Sequence, residues 1–339
     1  MPGIYTLFRL SKLVKSDRLK LLYVYVAQKF GWRYYSVRLD PVMACNLRCR
    51  MCHFSRRKAV DRARFTPEEI DRIADHLFGR ALQLVIGCGA EPTLYRDYIG
   101  IVRLAKRHGI PSVGLVTNGQ LLNGNDLKEL VNAGLDELII SIHGVSQATY
   151  ESFMVGARYN KLMELLEAFE AIRKELRVGR PSLRVNYTAN PDNIAEAIHF
   201  FDVFGRFSVD TLQVRPIMDI GGEYFNPFTP ESVDDYSYVI RALKTECESR
   251  GVRLLANLFD PSFSATEGQS MLYGELYKYV SPGVVVDRNF DWRNESFSQF
   301  LKRKGWSREM LRKILRGKRG KQENAISGTK HIGQYDIFG

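Results

Sequence analysis

From about residue 35 to residue 216, short apolar runs alternate with segments whose apolar residues recur every three or four positions. The runs lie at 35–43, 82–86, 112–116, 137–141, 183–188 and 211–215. The first is rich in β-branched and aromatic residues, and the others are short. Runs of this kind suit strands buried on both faces of a parallel sheet. The helix-like segments between them lie at 66–77, 98–108, 126–132, 159–176 and 193–204. Thr66-Pro67-Glu68-Glu69 is a helix start, with Thr as N-cap, Pro at the first helical position and Glu closing a capping box. Gly109 and Gly134 stand where C-terminal caps belong. Six strands alternating with helices predict an α/β fold with a parallel sheet. An open sheet and a full or partial barrel both fit that count. Either way, a functional site belongs in the loops at the C-terminal ends of the strands.

Outside that region the pattern is weaker. Thr229-Pro230-Glu231 starts a helix over 233–250, and 253–258 reads as a seventh strand. Residues 284–286 suggest one more strand and 307–315 a basic helix, while 320–339 read as a loose tail. The first 33 residues read as one or two amphipathic helices, with Leu7, Leu10 and Val14 on one face and Leu19, Leu22, Val26 and Phe30 on another. Such stripes are expected to pack on their own domain. The interleaved lysines and Trp32 keep an interfacial reading open.

Charge adds to this picture. The net charge of +11 is concentrated at the ends. Residues 1–33 carry seven Lys/Arg against Asp17, and 301–321 carry ten against Glu309, so the remainder is slightly acidic. Basic ends on a near-neutral body point to an anionic partner: phospholipid, nucleic acid or a phosphorylated substrate. No apolar run reaches the length of a membrane span, and the first residues lack a signal peptide's apolar stretch. The expected location is therefore cytoplasmic, with peripheral contact at a membrane.

Three of the five cysteines fall within eight residues, as Cys45-x3-Cys49-x2-Cys52, directly after the first strand. Three thiolates on one loop suit zinc or an iron–sulfur cluster. Structural zinc usually takes four ligands in paired knuckles, and no second knuckle exists here. His53 adjoins Cys52 too closely for easy joint ligation. A four-iron cluster on three cysteines keeps one iron open to a small molecule, which points to catalysis. Cys88 and Cys247 stand alone and read as small buried hydrophobes.

This spacing resembles the signature of the radical S-adenosylmethionine (radical SAM) superfamily, and three later strand ends add to the likeness. Gly87-Cys88-Gly89-Ala90-Glu91-Pro92 is similar to the family's Gly-Gly-Glu-Pro motif, with Ala90 at the usual second Gly. Thr117-Asn118-Gly119 follows the third strand. Ser141-Ile142-His143-Gly144 is similar to Ser-x-Asp-Gly, with His143 in place of Asp and able to titrate near neutral pH. The resemblance implies a partial (β/α)6 barrel, a [4Fe-4S] cluster on Cys45, Cys49 and Cys52, and S-adenosylmethionine on the open iron. It implies cofactor contacts from Met51, Gly89, Ala90, Glu91, Pro92, Thr117, Asn118, Ser141 and His143. Asn186 and Arg215, on the fifth and sixth strands, are further candidates, Arg215 for a carboxylate or phosphate. The implied reaction is reductive cleavage of S-adenosylmethionine to a 5′-deoxyadenosyl radical that abstracts hydrogen from a substrate. An external donor of flavodoxin or ferredoxin type is implied as the electron source.

The expected organisation is thus N-terminal helices over 1–34, a radical SAM core over 35–225, an extension covering the barrel over 226–320 and a flexible tail over 321–339. Only Cys247 lies beyond residue 88, which argues against auxiliary clusters. The favoured substrate is a sugar, a lipid-linked molecule or another phosphorylated small molecule. RNA or a peptide is an alternative, supported for RNA by basic charge alone. A non-catalytic metal- or nucleic-acid-binding module has no need of Glu91, Thr117 and Ser141.

Overall fold

The computed structural model describes residues 4–56, 63–257, 272–316 and 336–338. Its strands are β1 (Tyr35–Leu39), β2 (Ala81–Ile86), β3 (Ser112–Thr117), β4 (Glu137–Ile142), β5 (Ser182–Ala189), β6 (Thr211–Pro216), β7 (Arg253–Ala256), β8 (Tyr277–Ser281), β9 (Val284–Val285) and β10 (Asp336–Phe338). The helices are α1 (Ile4–Leu13), α2 (Asp17–Phe30), α3 (Pro67–Leu77), α4 (Tyr98–Arg107), α5 (Gly124–Asn132), α6 (Gln147–Phe153), α7 (Tyr159–Leu176), α8 (Phe200–Phe204), α9 (Val233–Arg250), α10 (Tyr273–Leu276), α11 (Phe297–Arg303) and α12 (Trp306–Arg316). The sheet is mainly parallel and is not closed into a barrel; its end strands among the described residues are β9 and β10.

The chain divides into two compact units. The first comprises Met1–Met43, Arg62–Gly114 and Gly268–Ser327. The second comprises Ala44–Asp61, Leu115–Glu267 and Gly328–Gly339, so β3 begins in one and ends in the other. In the first unit β1 pairs in parallel with β2 and β8, and β9 returns antiparallel on β8. Tyr35, Val37 and Leu39 are buried. Thr66 caps α3 through the Glu69 amide, and Glu69 returns the bond, as its sequence predicts. In the second unit β4, β5, β6 and β7 are parallel neighbours, with β10 antiparallel to β7. Register aligns Ser141 with Asn186 and Asn186 with Gln213, and Thr188 with Arg215 one rung further on. Side chains two residues apart share a face, so these polar residues form one surface toward the strands' C-terminal ends.

The six expected strands are present to within a few residues. Asp40 N still donates to Val280 O, but the first strand goes no further because Pro41 has no N–H to give the ladder. The segment at 193–204 is helical only from Ala195, first as a 3-10 turn and then as α8. Asn193 is spent on a bracket instead: it accepts from the Asn190 amide and donates to Thr188 O and His143 O. After residue 226, β7 and β9 stand at the expected strands 253–258 and 284–286, while β8 and β10 were not expected. Residues 336–338 form β10, and the rest of the expected tail to residue 335 lies outside the described residues. The N-terminal stripe is reversed. Leu21, Val24 and Ala27 form the buried face of α2, whereas Leu19, Leu22 and Phe30, expected to pack, are exposed.

Candidate functional site

The cysteine loop lies in the second unit and is held from three sides. Arg48 N donates to Val155 O and Arg50 N to Phe153 O, at the end of α6. Asn118, just past β3, donates from Nδ2 to Asn46 Oδ1 at 2.8 Å, with Cys45 Sγ 3.9 Å away, and accepts from the Gln120 amide. The third side is the segment after β6. Tyr224 N donates to Arg50 O, Glu223 N donates to Ser55 Oγ, and Ser55 Oγ donates to Cys52 O. Gly222 approaches so closely that a Cβ there would stand 2.3 Å from the Met51 carbonyl carbon. The Arg50 guanidinium lies over the Tyr224 ring at 4.9 Å and the Phe153 ring at 5.4 Å. The Tyr224 hydroxyl in turn donates to Asp192 and Asn190. The side chain of Met51 is buried against Phe153, Ile217 and Tyr224.

Cys45, Cys49 and Cys52 are half-buried. Leu47 N donates to Cys45 Sγ at 3.4 Å, and with Asn118 Nδ2 this gives the sulfur two N–H neighbours. Such donors stabilise a thiolate in an iron–sulfur site. Among the described residues, no group of three or more His, Cys, Asp or Glu side chains is placed to hold a metal ion. A single zinc requires all its sulfurs close to one point, whereas a cluster spreads its ligands over separate irons. Three thiols on one loop, with N–H donors at Cys45 Sγ, are a donor set that fits an iron–sulfur cluster.

The other second-unit candidates follow from strand register. Ser141 and Asn186 are neighbours on β4 and β5, and Asn186 Oδ1 is buried with no hydrogen bond among the described residues. The same holds for His143 Nδ1. Burial and the nearby Arg215 cation push the His143 pKa down to about 4, so this histidine is neutral at physiological pH and does not titrate there. Gly144 ends the motif because a Cβ would meet the Tyr150 amide at 2.3 Å. Thr117 Oγ1 accepts from Gly119 N, which fixes the turn after β3.

The glycine-rich loop lies in the first unit. Glu91 is buried, and its Oε1 accepts from Thr93 Oγ1 at 2.6 Å and from the Thr93 amide at 3.2 Å. Beneath the loop sits Asp40, a residue that sequence reasoning missed. It is fully buried, and its Oδ1 accepts from Cys88 N at 2.6 Å and Gly89 N at 3.1 Å. Its Oδ2 accepts from Gly89 N at 3.0 Å and from the Tyr279 hydroxyl at 2.8 Å. Two loop amides and a hydroxyl thus converge on one carboxylate. The only sequence signal was a carboxylate directly after a buried strand. Cys88 is half-buried and donates to Val85 O. Cys247 is buried on α9, which raises its pKa to about 12, and it behaves as the inert residue its isolation predicts.

Comparison with known proteins agrees with this layout. Residues 41–200 match the model of the radical SAM superfamily. A probable GTP 3′,8-cyclase of Saccharolobus solfataricus is 29% identical over 57% of this chain and 60% of its own length. One from Sulfurisphaera tokodaii is 26% identical over 57% of this chain and 59% of its length. The chain thus spans about 60% of these relatives. Streptococcus suis SuiB bound to S-adenosylmethionine superposes with a TM-score of 0.60 at 17% identity, covering 79% of this chain and 64% of SuiB. Methylornithine synthase (PylB) gives a TM-score of 0.52 at 16% identity, covering 91% of this chain and 95% of PylB. The family's cofactors are a [4Fe-4S] cluster and S-adenosylmethionine. On the cysteine loop, the strand-end motifs and these matches, residues 41–200 of the chain form a radical SAM domain.

Proposed function

We propose that this chain is a radical SAM enzyme that holds one [4Fe-4S] cluster on Cys45, Cys49 and Cys52 and acts on a phosphorylated small molecule. The observation that carries the proposal is the cysteine loop itself: three half-buried thiols, N–H donors at Cys45 Sγ, and backbone bonds pinning the intervening residues. When bound, the cluster and S-adenosylmethionine together supply one-electron cleavage of the sulfonium and thereby hydrogen abstraction from the substrate. The chain's own residues bind and orient. Glu91 and the backbone of Gly89, Ala90 and Pro92 take the cofactor's ammonium. Ser141, the neutral His143, Asn186 and Thr117 offer hydrogen bonds to its hydroxyl and carboxylate groups, and Arg215 a cation. Asn118 also holds the loop that carries Cys45.

Anaerobic reconstitution followed by reduction is expected to release 5′-deoxyadenosine. Zinc as the bound metal, with no cleavage under any reductant, would sink the proposal. Glu91→Ala is expected to retain the full iron content while weakening S-adenosylmethionine binding by tenfold or more, on the order of one lost charge-assisted contact. Unchanged binding in an equilibrium titration would remove Glu91 from the site.

The phosphorylated substrate is supported by Arg38. Its Nε and Nη2 are buried without a hydrogen bond among the described residues, and its guanidinium lies over the Tyr277 ring at 5.6 Å. Asp40 follows two residues on, just past the end of β1. Buried guanidinium N–H groups without hydrogen bonds are costly unless an anionic ligand satisfies them. The related GTP 3′,8-cyclases are named for a nucleoside triphosphate, which belongs to that chemical class. With GTP and pyrophosphate as probes, Arg38→Met is expected to weaken binding about tenfold or more while leaving the cluster intact. A wild-type chain that binds neither probe would overturn the phosphorylated reading. The remaining partners follow: an electron donor of flavodoxin or ferredoxin type, and a cytoplasmic setting with the basic ends against an anionic membrane.

A further inference from the structure

We infer that the outer stripe of α2, together with α12, is a membrane-docking face whose apolar side chains enter the interface of an anionic bilayer. This deepens the membrane contact proposed above and is independent of the chemistry at the cysteine loop. Helix α2 is apolar on two sides. Leu21, Val24 and Ala27 are wholly or almost wholly buried, which is enough to hold the helix in place. Opposite them Leu19, Leu22, Tyr23 and Phe30 are 59, 43, 51 and 71% exposed, at spacings that keep them on one side of the helix. Trp32 follows, 52% exposed and stacked on Phe30 at 5.6 Å. Helix α12 packs on α2, with Trp306 stacked on Tyr25 at 6.0 Å, and turns Leu311 and Leu315 outward.

The exposure is concentrated rather than scattered. Among the described residues, nine of sixteen exposed large apolar side chains belong to α1, α2, α12 and the turn at Trp32. Single exposed apolar residues need no explanation, but a concentration of this kind marks an interaction surface. The surrounding charge selects the partner. Lys12, Lys15, Arg18, Lys29, Arg308 and Arg312 are exposed here, against Asp17 and a Glu309 already paired with Lys313 at 2.7 Å. Lysine is depleted in protein–protein interfaces, and nucleic acid makes no use of an apolar stripe. Long cations that snorkel, aromatic rings with a polar edge and aliphatic side chains between them are what a headgroup–acyl boundary takes. No helix among the described residues is long and apolar enough to cross a membrane, so the contact is one of lying on the surface.

The test uses the full chain with vesicles of phosphatidylcholine alone and mixed with phosphatidylglycerol. Binding is expected only to the mixed vesicles, and part of it should survive high salt, which screens the charges but not the apolar insertion. The double substitution Leu22→Ser, Phe30→Ser should lower the high-salt partition coefficient by about tenfold or more, with thermal unfolding and 5′-deoxyadenosine formation unchanged. Tryptophan fluorescence adds a direct readout. Trp292 and Trp306 are buried, so a blue shift on vesicle binding would report Trp32, and Trp32→Phe should remove it. Binding abolished entirely by salt and indifferent to the double substitution would overturn insertion while leaving an electrostatic contact. No vesicle binding would overturn both. Lipid-free dimerisation that the double substitution abolishes would make a second copy the occupant and overturn the inference.

Discussion

Alanine at any one of Cys45, Cys49 or Cys52 is expected to abolish both the bound iron and the cleavage of S-adenosylmethionine. Alanine at Cys88 or Cys247 should change neither. The wild-type chain should reconstitute with about four irons, so each loop variant is read as a fall in iron content and in the visible absorbance of the cluster. The contrast follows from the environments. The three loop thiols share an eight-residue turn fixed by backbone bonds at Arg48 and Arg50, and Cys45 receives N–H donors. Removing one leaves two sulfurs, too few for a four-iron cube that already keeps one iron open. Cys247 has its thiol pKa pushed up by burial, and Cys88 donates to a strand carbonyl, so neither is poised as a thiolate ligand. Because the loop is pinned by main-chain contacts, the variants should stay folded. A variant such as Cys49→Ala that keeps full iron and full cleavage would disprove the ligand assignment.

What was legible in the sequence was local. The strand at 82–86 is mainly apolar and buried, and in 183–188 Leu183, Val185 and Tyr187 alternate with polar residues, a period of two that marks a strand. The start of α3 was legible because a capping box is complete within four residues. The cysteine loop and Glu91 sit on short motifs that fall after predictable strands. The features missed depend on partners far away in the chain. Strand β8 reads Tyr-Lys-Tyr-Val-Ser, and its buried Lys278 has its ammonium on Gly274 O, beside Glu275 and over the Tyr35 and Phe297 rings. The brace behind the cysteine loop comes from Gly222 to Tyr224, some 170 residues on, through backbone approach that no composition records. The outward turn of Leu19, Leu22 and Phe30 was misread for a related reason. A helix with apolar residues on two faces gives no local sign of which one the domain covers; here the narrower row of Leu21, Val24 and Ala27 is the one buried. His143 was expected to titrate near neutrality, and only its surroundings show that burial and Arg215 keep it neutral.

Asp40 is the residue on which these distant partners converge, and Asp40→Ala is expected to be the most damaging substitution outside the cysteine loop. The change strips the acceptor from the Cys88 and Gly89 amides and from the Tyr279 hydroxyl in a fully buried place. Each stranded buried donor costs about 1–3 kcal/mol, so the loss should be of order 3 kcal/mol in urea unfolding. The glycine-rich loop would lose its fixed position, and S-adenosylmethionine affinity should fall with it, by tenfold or more on the order of 1.4 kcal/mol. Asp40→Asn separates geometry from charge. The amide oxygen still accepts from the loop, and the amide nitrogen meets Tyr279 as a donor, so Asn should recover most of the stability and much of the affinity. The pH dependence has a definite sign. Burial raises the Asp40 pKa above its unfolded value, against the lowering effect of the Cys88, Gly89, Tyr279 and Ala90 hydrogen bonds. The stability contributed by this group is therefore fully present below the unfolded pKa and is lost as pH rises through the folded one. The Asn variant, unable to ionise, should lack that decline, so the difference between wild type and Asp40→Asn should move in favour of Asn as pH increases through the folded pKa. Equal stability of Asp40→Ala and wild type, with equal cofactor affinity, would show that the carboxylate beneath the loop does not hold it.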